Sequence, residues 1–184
     1  MFSFETERLL LRTFTTDDWQ DLYEYLSLDE VNTFLSDWNC TEEACQAIAE
    51  QRSKDETIWA VCLKDTGKMI GHVDIRQEHY SEFLIYEIGY IFNPKYGNKG
   101  YATEALQRVI QHGFEDLNAR RIIADSNPRN ISSWKLLERL NMRREGHFVQ
   151  NYFDKKDADN QPIWEDTYYY AILKSEWKRT ENYV

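Results

Sequence analysis

The chain has 184 residues, of which 42% are hydrophobic and 15% aromatic, and its formal net charge is -10 at pH 7. That length and apolar content favour one compact domain over residues 1–184, and the negative charge argues against nonspecific nucleic-acid binding, which needs a basic surface. No apolar run approaches the roughly 20 residues that span a bilayer, and the N-terminus lacks a basic segment followed by an apolar one. We therefore expect a cytoplasmic protein without nucleic-acid or membrane partners.

Strands and helices alternate along the chain without a linker or an internal repeat. Alternating apolar residues predict strands, and apolar residues three and four positions apart predict helices. In chain order, the pattern predicts a strand at Leu9–Phe14, helices at Asp17–Leu26 and from Thr41 to about Gln51, a hairpin of Trp59–Leu63 and Met69–Ile75, a strand at Leu84–Phe92, a helix from Ala102 to about Asp116, a strand at Arg121–Ala124, a helix at Ser132–Leu140, and two closing strands around the charged turn Asp154–Pro162. This order predicts an α/β (α+β) protein.

Residues 86–103 pass from a strand pattern into a helix pattern across a glycine-containing loop. Pro94 ends the strand because proline lacks an N–H donor, and Gly97 and Gly100 allow a ligand to approach the main chain closely. The first turn of the following helix has N–H donors without partners and the positive end of the helix dipole. The loop therefore predicts a phosphate-binding site to which Lys99 adds a mobile charge. A tight turn without a ligand is the alternative that the loop alone leaves open.

This segment resembles the acyl-CoA-binding motif of the GNAT superfamily of N-acyltransferases. The family pattern [R/Q]-x-x-G-x-[G/A] reads GNKGYA at residues 97–102, whereas the nucleotide motifs GxxxxGK[ST] and GxGxxG are absent. Gly97 stands where arginine or glutamine is usual, so the backbone must carry the diphosphate. The resemblance covers nearly the whole chain, and the segments that carry it are ETERLLLR, GHVDI, EIGYIFNP, GYATEAL, SNPRNISSWKLLERLNMRREG and WEDTYYYAILKSEW. Within the superfamily, the chain most resembles the branch that contains the ribosomal-protein N-terminal alanine and serine acetyltransferases.

The resemblance implies a mixed, mainly antiparallel sheet of six to seven strands, flanked by helices and with splayed central strands. It also implies that acetyl-CoA is the cosubstrate. The residues that it places at acetyl-CoA are Ile91, Phe92, Asn98, Lys99, Gly100, Tyr101, Ala102, Thr103 and Asn130. Asn130 belongs, with Ser133, to an N-x-x-[S/A] element beside the pantetheine arm. On the sequence alone, a helix cap at Asn130 or Ser132 is the competing interpretation.

The chemistry adds a requirement for a base, because an amine attacks a thioester only when unprotonated. Glu87, on the strand before the loop, is the first candidate, and a carboxylate that faces solvent or pairs with an arginine is the alternative. N–H groups around Ile91 and Phe92 are expected to stabilise the oxyanion. Many family members carry a tyrosine as general acid where this chain has Leu137. Ser133 is then a candidate catalytic residue, as proton donor or thiol-orienting group.

The histidines are scattered over different elements without metal-ligand spacing, so we expect no metal site. These residues are His72, His79, His112 and His147.

The resemblance thus implies transfer of an acetyl group from acetyl-CoA to a primary amine by direct attack through a tetrahedral intermediate. A protein N-terminal α-amine is the first choice of acceptor. The alternatives are a small-molecule amine, such as a polyamine, amino sugar or antibiotic, and a non-catalytic acyl-CoA-binding module, which the departures at Gly97 and Leu137 favour. A homodimer is a further expectation from the resemblance.

Overall fold

The computed structural model describes residues 3–34, 40–78 and 80–177, and its framework in these ranges is an eight-stranded sheet with helices on both faces. The strands are β1 (Ser3–Glu5), β2 (Leu9–Arg12), β3 (Ile58–Leu63), β4 (Met69–Gln77), β5 (Ile85–Phe92), β6 (Arg121–Ser126), β7 (Arg143–Lys156) and β8 (Pro162–Leu173). The helices are α1 (Trp19–Leu26), α2 (Asp29–Asn32), α3 (Glu42–Arg52), α4 (Tyr101–Glu115) and α5 (Ile131–Arg139).

The strand order is β1-β2-β3-β4-β5-β6-β8-β7, and every neighbouring pair is antiparallel except β5 with β6. This confirms the predicted α/β (α+β) fold with a mainly antiparallel sheet. The sheet has more than the expected six to seven strands, since the three-residue β1 also pairs with β2. A strand of three residues is too short to show an alternating apolar pattern in the sequence. The four-residue helix α2 was missed because it is too short to show a helical spacing of apolar residues.

The turn predicted at Asp154–Pro162 is shorter in the structure. Lys156 of β7 still pairs with Pro162 of β8, so only residues 157–161 form the turn. No helix in the described part of the chain is long and apolar enough to cross a bilayer.

The core has two layers, one on each face of the sheet. On one face, α4 and α5 pack against the central strands, and the buried apolar residues of α4 are Ala105, Leu106, Val109, Ile110 and Phe114. On the other face, α1 and α3 cover the strands with Leu22, Tyr25, Leu26, Cys45 and Ala49. The apolar stripe of α4 has the helical spacing that the sequence showed, so packing against the sheet fixes both the direction and the rotation of that helix.

The parallel pair β5 and β6 separates partway along its length. Register between the two strands runs only from Ile85–Arg121 to Glu87–Ile123. Beyond that point β5 stays paired with β4 as far as Phe92, while β6 stays paired with β8 as far as Ser126. The splayed central strands implied by the family resemblance are therefore present. They leave a gap in the sheet that ends close to the start of α4.

The fit of α4 on the sheet can be tested at Gly113. A Cβ atom there would lie 2.7 Å from Cδ1 of Ile122 and 2.8 Å from Cδ1 of Ile75, both buried. Alanine gains about 1 kcal/mol in helix propensity, but overpacking a close-packed core costs about 1–3 kcal/mol. We expect Gly113→Ala to lower the free energy of unfolding by about 1 kcal/mol in urea titrations. Gln111→Ala, on the same helix, should change it by less than about 0.5 kcal/mol, and a stabilised Gly113→Ala variant would contradict the packing described.

Candidate active site

A cleft of about 1110 Å³ opens where β5 and β6 separate. Its walls come from the ends of these two strands, the loop and first turn of α4, one side of α5, helix α2 and the middle of β7. The volume lies slightly above the 300–1,000 Å³ range of ordinary small-molecule sites. The cleft is therefore large enough for a cofactor-sized ligand.

Unpartnered main-chain N–H groups are concentrated at the α4 end of the cleft. Asn98 and Gly100 have φ angles of 58° and 81°, and α4 begins without a side-chain cap. Among the described residues, none accepts a hydrogen bond from the backbone N–H groups of residues 98–103; the first amide of the helix with an acceptor is that of Glu104, which donates to Gly100 O at 3.0 Å. Successive amides in such conformations form a concave anion site, strengthened by the helix dipole. The geometry fits a diphosphate.

Two cations that the sequence analysis missed lie beside these amides. Arg139 Nη1 donates to Thr103 Oγ1 at 3.3 Å, and Lys135 lies one turn earlier on the same side of α5. Their spacing of four residues puts them on one helix face, but only the packing of α5 beside α4 shows that this face meets the cleft. Lys99, which the sequence favoured, does not line the cleft and instead has its Nζ 5.6 Å from the Tyr96 ring centre.

Carboxylates also line the cleft. They are Glu30 of α2, Asp125 at the end of β6 and Asp154 of β7. The β7–β8 hairpin is held against α2 by Lys155, whose Nζ donates to Asn32 O at 3.0 Å. The cleft is therefore electropositive near α4 and acidic near α2, although the whole protein is negatively charged.

Strand β5 directs alternate amides into the gap. Asn93 N donates to Ile70 O of the neighbouring chain segment at 2.9 Å, and alternation along a strand turns the N–H of Ile91 to the same side. The N–H groups of Tyr90 and Phe92 consequently face the gap. Of the two amides expected to stabilise an oxyanion, that of Phe92 thus faces the gap and that of Ile91 belongs to the ladder with β4, while the adjacent Tyr90 N–H also faces the gap.

Glu87 is half-buried at the last position where β5 still pairs with β6. Burial, and then the nearby carboxylate of Asp125, raises the pKa of Glu87 to about 7. Arg76 is opposite Glu87 in the register, but its ion pairs are with Asp74 and Asp55. Glu87 does not itself line the cleft, whereas Asp125 does. A proton exchanged between the cleft and Glu87 would therefore travel past Asp125 or through water.

Asn130 caps helix α5, as the alternative interpretation of this residue from the sequence predicted. Its Oδ1 accepts from Ser133 N at 3.1 Å and from Ser132 Oγ at 2.9 Å. It also lines the cleft, as do Ser133 and the other proposed acetyl-CoA residues apart from Lys99. Capping by Oδ1 does not prevent contact with a ligand, since the amide group has a second polar atom.

A tyrosine hydroxyl from strand β5 meets the side chain of Ser133 at the wall of the cleft. The hydroxyl groups of Tyr90 and Ser133 are 2.8 Å apart, and both residues line the cleft. Burial raises the pKa of Tyr90 well above its usual value. Leu137, at the family's usual tyrosine position, is fully buried in the core. The β5 and α5 walls thus supply a pair of linked hydroxyls.

The described residues contain no group of three or more histidine, cysteine, aspartate and glutamate side chains that could hold a metal ion. Of the four histidines considered in the sequence, His79 lies outside the described residues.

Comparison with known proteins identifies the family. The family model described as an acetyltransferase (GNAT) domain matches residues 8–143. The N-acetyltransferase YnaD of Bacillus subtilis is 41% identical over 173 residues, which are 94% of this chain and 97% of YnaD. A GNAT-family acetyltransferase structure from Bacillus anthracis superposes with a TM-score of 0.83 at 36% identity, covering 95% of this chain and 100% of that one.

A ribosomal-protein-S5-alanine acetyltransferase from Vibrio fischeri has the same fold, with a TM-score of 0.77 at 24% identity over 97% of this chain and 100% of its own. The chain belongs to the GNAT family and is an N-acetyltransferase. The resemblance found in the sequence is thereby confirmed, and acetyl-CoA is the cosubstrate that enzymes of this fold use.

The anion site can be tested at Gly100, whose positive φ is unfavourable for any other residue. Alanine at φ 81° is strained by about 1–2 kcal/mol, so the binding-competent loop conformation becomes less populated. We expect Gly100→Ala to weaken binding of desulfo-CoA, a CoA analogue without the thiol, about tenfold in titration calorimetry.

Gly67 provides the matched control, because it has φ 72° in the β3–β4 turn and open space around it. Gly67→Ala should lose comparable stability and keep full affinity for desulfo-CoA. Equal affinities in both variants would show that the loop conformation does not matter for binding.

Proposed function

We propose that this enzyme transfers the acetyl group of acetyl-CoA to the α-amino group of a protein or peptide N-terminus by direct attack. The observation that carries the proposal is one cleft lined both by the amides of residues 98–103 and by the carboxylates Glu30, Asp125 and Asp154. Glu87 lies behind Asp125, and burial raises its pKa to about 7. A terminal α-amine has a reference pKa near 7.7–8.0, whereas a lysine amine is near 10.4. A base with a pKa of about 7 is matched to the first amine and poorly matched to the second.

Acetyl-CoA would lie with its diphosphate on the amides of residues 98–103, near Arg139 and Lys135. Its pantetheine arm would follow the gap between β5 and β6, with Asn130 and Ser133 at its side. When bound, it supplies a thioester carbonyl as the electrophile. The support for this placement is the set of amides that have no acceptor among the described residues, together with the two cations that line the cleft there.

The acceptor amine would enter from the acidic end of the cleft as a cation, attracted by Asp125, Asp154 and Glu30. It loses one proton to Glu87, past Asp125 or through water, and the neutral nitrogen forms a bond to the thioester carbon. The N–H groups of Tyr90 and Phe92 donate to the oxyanion of the resulting tetrahedral intermediate.

Collapse of that intermediate breaks the C–S bond, and the sulfur takes the electron pair and leaves as a thiolate. The nitrogen releases its second proton to water, which gives the neutral amide. Ser133 Oγ–H donates a hydrogen bond to this thiolate while Tyr90 donates to Ser133 Oγ. The high pKa of Tyr90 keeps its proton in place, so the hydroxyl pair stabilises the thiolate without forming a phenolate. The role usually held by a tyrosine on α5 is then divided between two residues.

The name of the Vibrio fischeri neighbour gives an alanine of ribosomal protein S5 as that protein's acceptor. At 24% identity this likeness concerns the fold alone, and the choice of acceptor here depends on the charge of the cleft and the pKa of Glu87. We further propose that the enzyme acts in the cytoplasm, where acetyl-CoA is available.

A panel of acceptors tests the proposal. Acetyl-CoA is supplied with peptides that have a free N-terminus, the same peptides with a blocked N-terminus and one lysine, a polyamine and an amino sugar, and thiol release and product mass are measured. We expect acetylation of the free N-termini alone. Acetylation confined to the polyamine or amino sugar would instead show a small-molecule enzyme, and CoA binding without thiol release would show a non-catalytic module.

The role of Glu87 predicts a pH dependence. Because its pKa is about 7, the fraction of carboxylate able to accept a proton grows as the pH rises through 7, and kcat should rise with it. Glu87→Gln should lose about 10²-fold in kcat and lose this rise. Asp125→Asn removes a negative charge beside Glu87 and should shift the rise to lower pH. A Glu87→Gln variant with a wild-type profile would remove Glu87 from the mechanism.

Stability measurements provide the control for folding. A carboxylate whose folded pKa lies above its unfolded pKa of about 4.3 destabilises the fold progressively as the pH rises from there to about 7. Glu87→Gln should therefore melt near the wild-type temperature at pH 4.5 and above it at pH 8. Lost activity in a variant of raised melting temperature cannot come from unfolding.

The hydroxyl pair makes a separate prediction. Loss of a hydrogen bond to a charged group costs about 1.5–3 kcal/mol, so Ser133→Ala should lower kcat about 10- to 100-fold with little change in KM for acetyl-CoA. Tyr90→Phe removes only a neutral hydrogen bond and should lower kcat about 2- to 10-fold. Ser53→Ala, at the exposed end of α3, is the serine control. Equal rates in wild type and Ser133→Ala, measured by thiol release, would contradict the assignment.

A further inference from the structure

Arg8, in the turn between β1 and β2, contacts both the loop and the helix that carry the unpartnered amides. Its Nη1 donates to the backbone oxygen of Lys99 at 2.9 Å. Its Nε and Nη2 lie 2.7 and 2.6 Å from Oε2 of Glu104, in the first turn of α4. The guanidinium carbon also lies 4.6 Å from the ring centre of Tyr101. One side chain thus connects three positions on either side of Gly100.

The bond to Lys99 O determines which way one peptide group points. The described chain has no cis peptide bond, and in a planar trans peptide the C=O and the following N–H point in opposite directions. Because Arg8 holds the Lys99 oxygen, the Gly100 N–H points away from Arg8. Arg8 does not line the cleft, whereas Gly100 does, so this orientation directs the amide to the anion site.

The opposite orientation would abolish the site. Gly100 has no Cβ to restrict rotation of its neighbouring peptides, and a flipped peptide would present the Lys99 oxygen to the incoming phosphates. The left-handed φ angles at Asn98 and Gly100 belong to the unflipped arrangement. A restraint on this peptide therefore has a direct effect on anion binding.

Arg8 also interacts with the buried carboxylate of Glu104. Its carboxylate is 5% exposed and accepts from Thr6 Oγ1 at 2.6 Å and from Arg8 N at 2.8 Å. These bonds anchor the β1–β2 turn to α4, but they also place a negative charge one turn from a site for phosphates. The guanidinium of Arg8 balances that charge.

We propose that Arg8 is a positioning residue for acetyl-CoA: it fixes the Lys99–Gly100 peptide with its N–H toward the diphosphate and neutralises Glu104, without contacting the ligand. This inference rests on the proposed function insofar as the amides of residues 98–103 are taken to bind the diphosphate.

The first test separates orientation of the diphosphate site from a general structural role. Acetyl-CoA and S-acetylpantetheine contain the same thioester, but only acetyl-CoA has the diphosphate. In Arg8→Lys, the positive charge remains while a single ammonium group replaces the fork that reaches both Lys99 O and Glu104. We expect kcat/KM for acetyl-CoA to fall about 10- to 100-fold, with kcat/KM for S-acetylpantetheine nearly unchanged. An equal fall for both substrates would show a general structural role and overturn the proposal.

The second test is direct binding of desulfo-CoA, which needs no acceptor and no turnover. Arg8→Lys should bind it about 10- to 100-fold more weakly than the wild type. Full affinity in Arg8→Lys would mean that only the charge matters, which overturns the proposed orientation. If the wild type itself does not bind desulfo-CoA, the proposed function is wrong. If the wild type binds it and the Arg8 variants bind it equally well, only the role proposed for Arg8 is wrong.

A double variant guards against misfolding. Arg8→Met alone leaves the buried Glu104 carboxylate without its counter-charge, whereas Arg8→Met with Glu104→Gln leaves no such charge. The double variant should fold, as judged by its melting curve, and should show the same loss of desulfo-CoA affinity. Arg143→Met is the control. Like Arg8, Arg143 forms ion pairs, in its case with Glu145 and Glu176, and it does not line the cleft. It should bind desulfo-CoA as the wild type does, and a double variant with wild-type affinity would overturn the proposal.

Discussion

The end of pairing between β5 and β6 at Glu87 and Ile123 is the constraint on which the rest of the site depends. Each strand remains paired on its other side, so the sheet stays intact while one edge of β5 has no strand partner among the described residues. That edge directs the N–H groups of Tyr90 and Phe92 into the gap. The same separation brings the loop before α4 to the mouth of the gap. An opening in the sheet and an anion site thus arise from one feature of the strand register.

The distribution of charge in the cleft is consistent with an anion site built from main-chain amides. A chain with a net charge of -10 gains little from a general positive field. Main-chain amides and the dipole of α4 supply a local positive potential without requiring a basic protein surface. Arg139 and Lys135 add to this potential. The opposite end of the cleft can then be acidic without opposing phosphate binding. This division gives one cleft two ends with opposite preferences, suited to an anionic cosubstrate and a cationic acceptor.

The sequence predicted those parts of the site that are local in the chain. The glycine loop, the start of α4 and the cap at Asn130 each depend on a few consecutive residues. The contributions of Asp125, Arg139 and the Tyr90–Ser133 pair depend on contacts between elements that are distant in the chain, so no local pattern reveals them. The sequence also could not show that the Ile91 amide pairs with β4 while the Tyr90 amide faces the gap, because this depends on which side of β5 faces β4. Likewise Arg8 had no visible role until the structure placed it beside Lys99 and Glu104.

The most direct test of this account is residue-resolved NMR of the backbone amides during titration with desulfo-CoA. The account predicts large shifts for the N–H groups of residues 98–103, as they gain acceptors from the diphosphate, and smaller ones for the N–H groups facing the gap. Shifts confined to another surface, or saturation of binding while the amides of residues 98–103 stay unchanged, would contradict it.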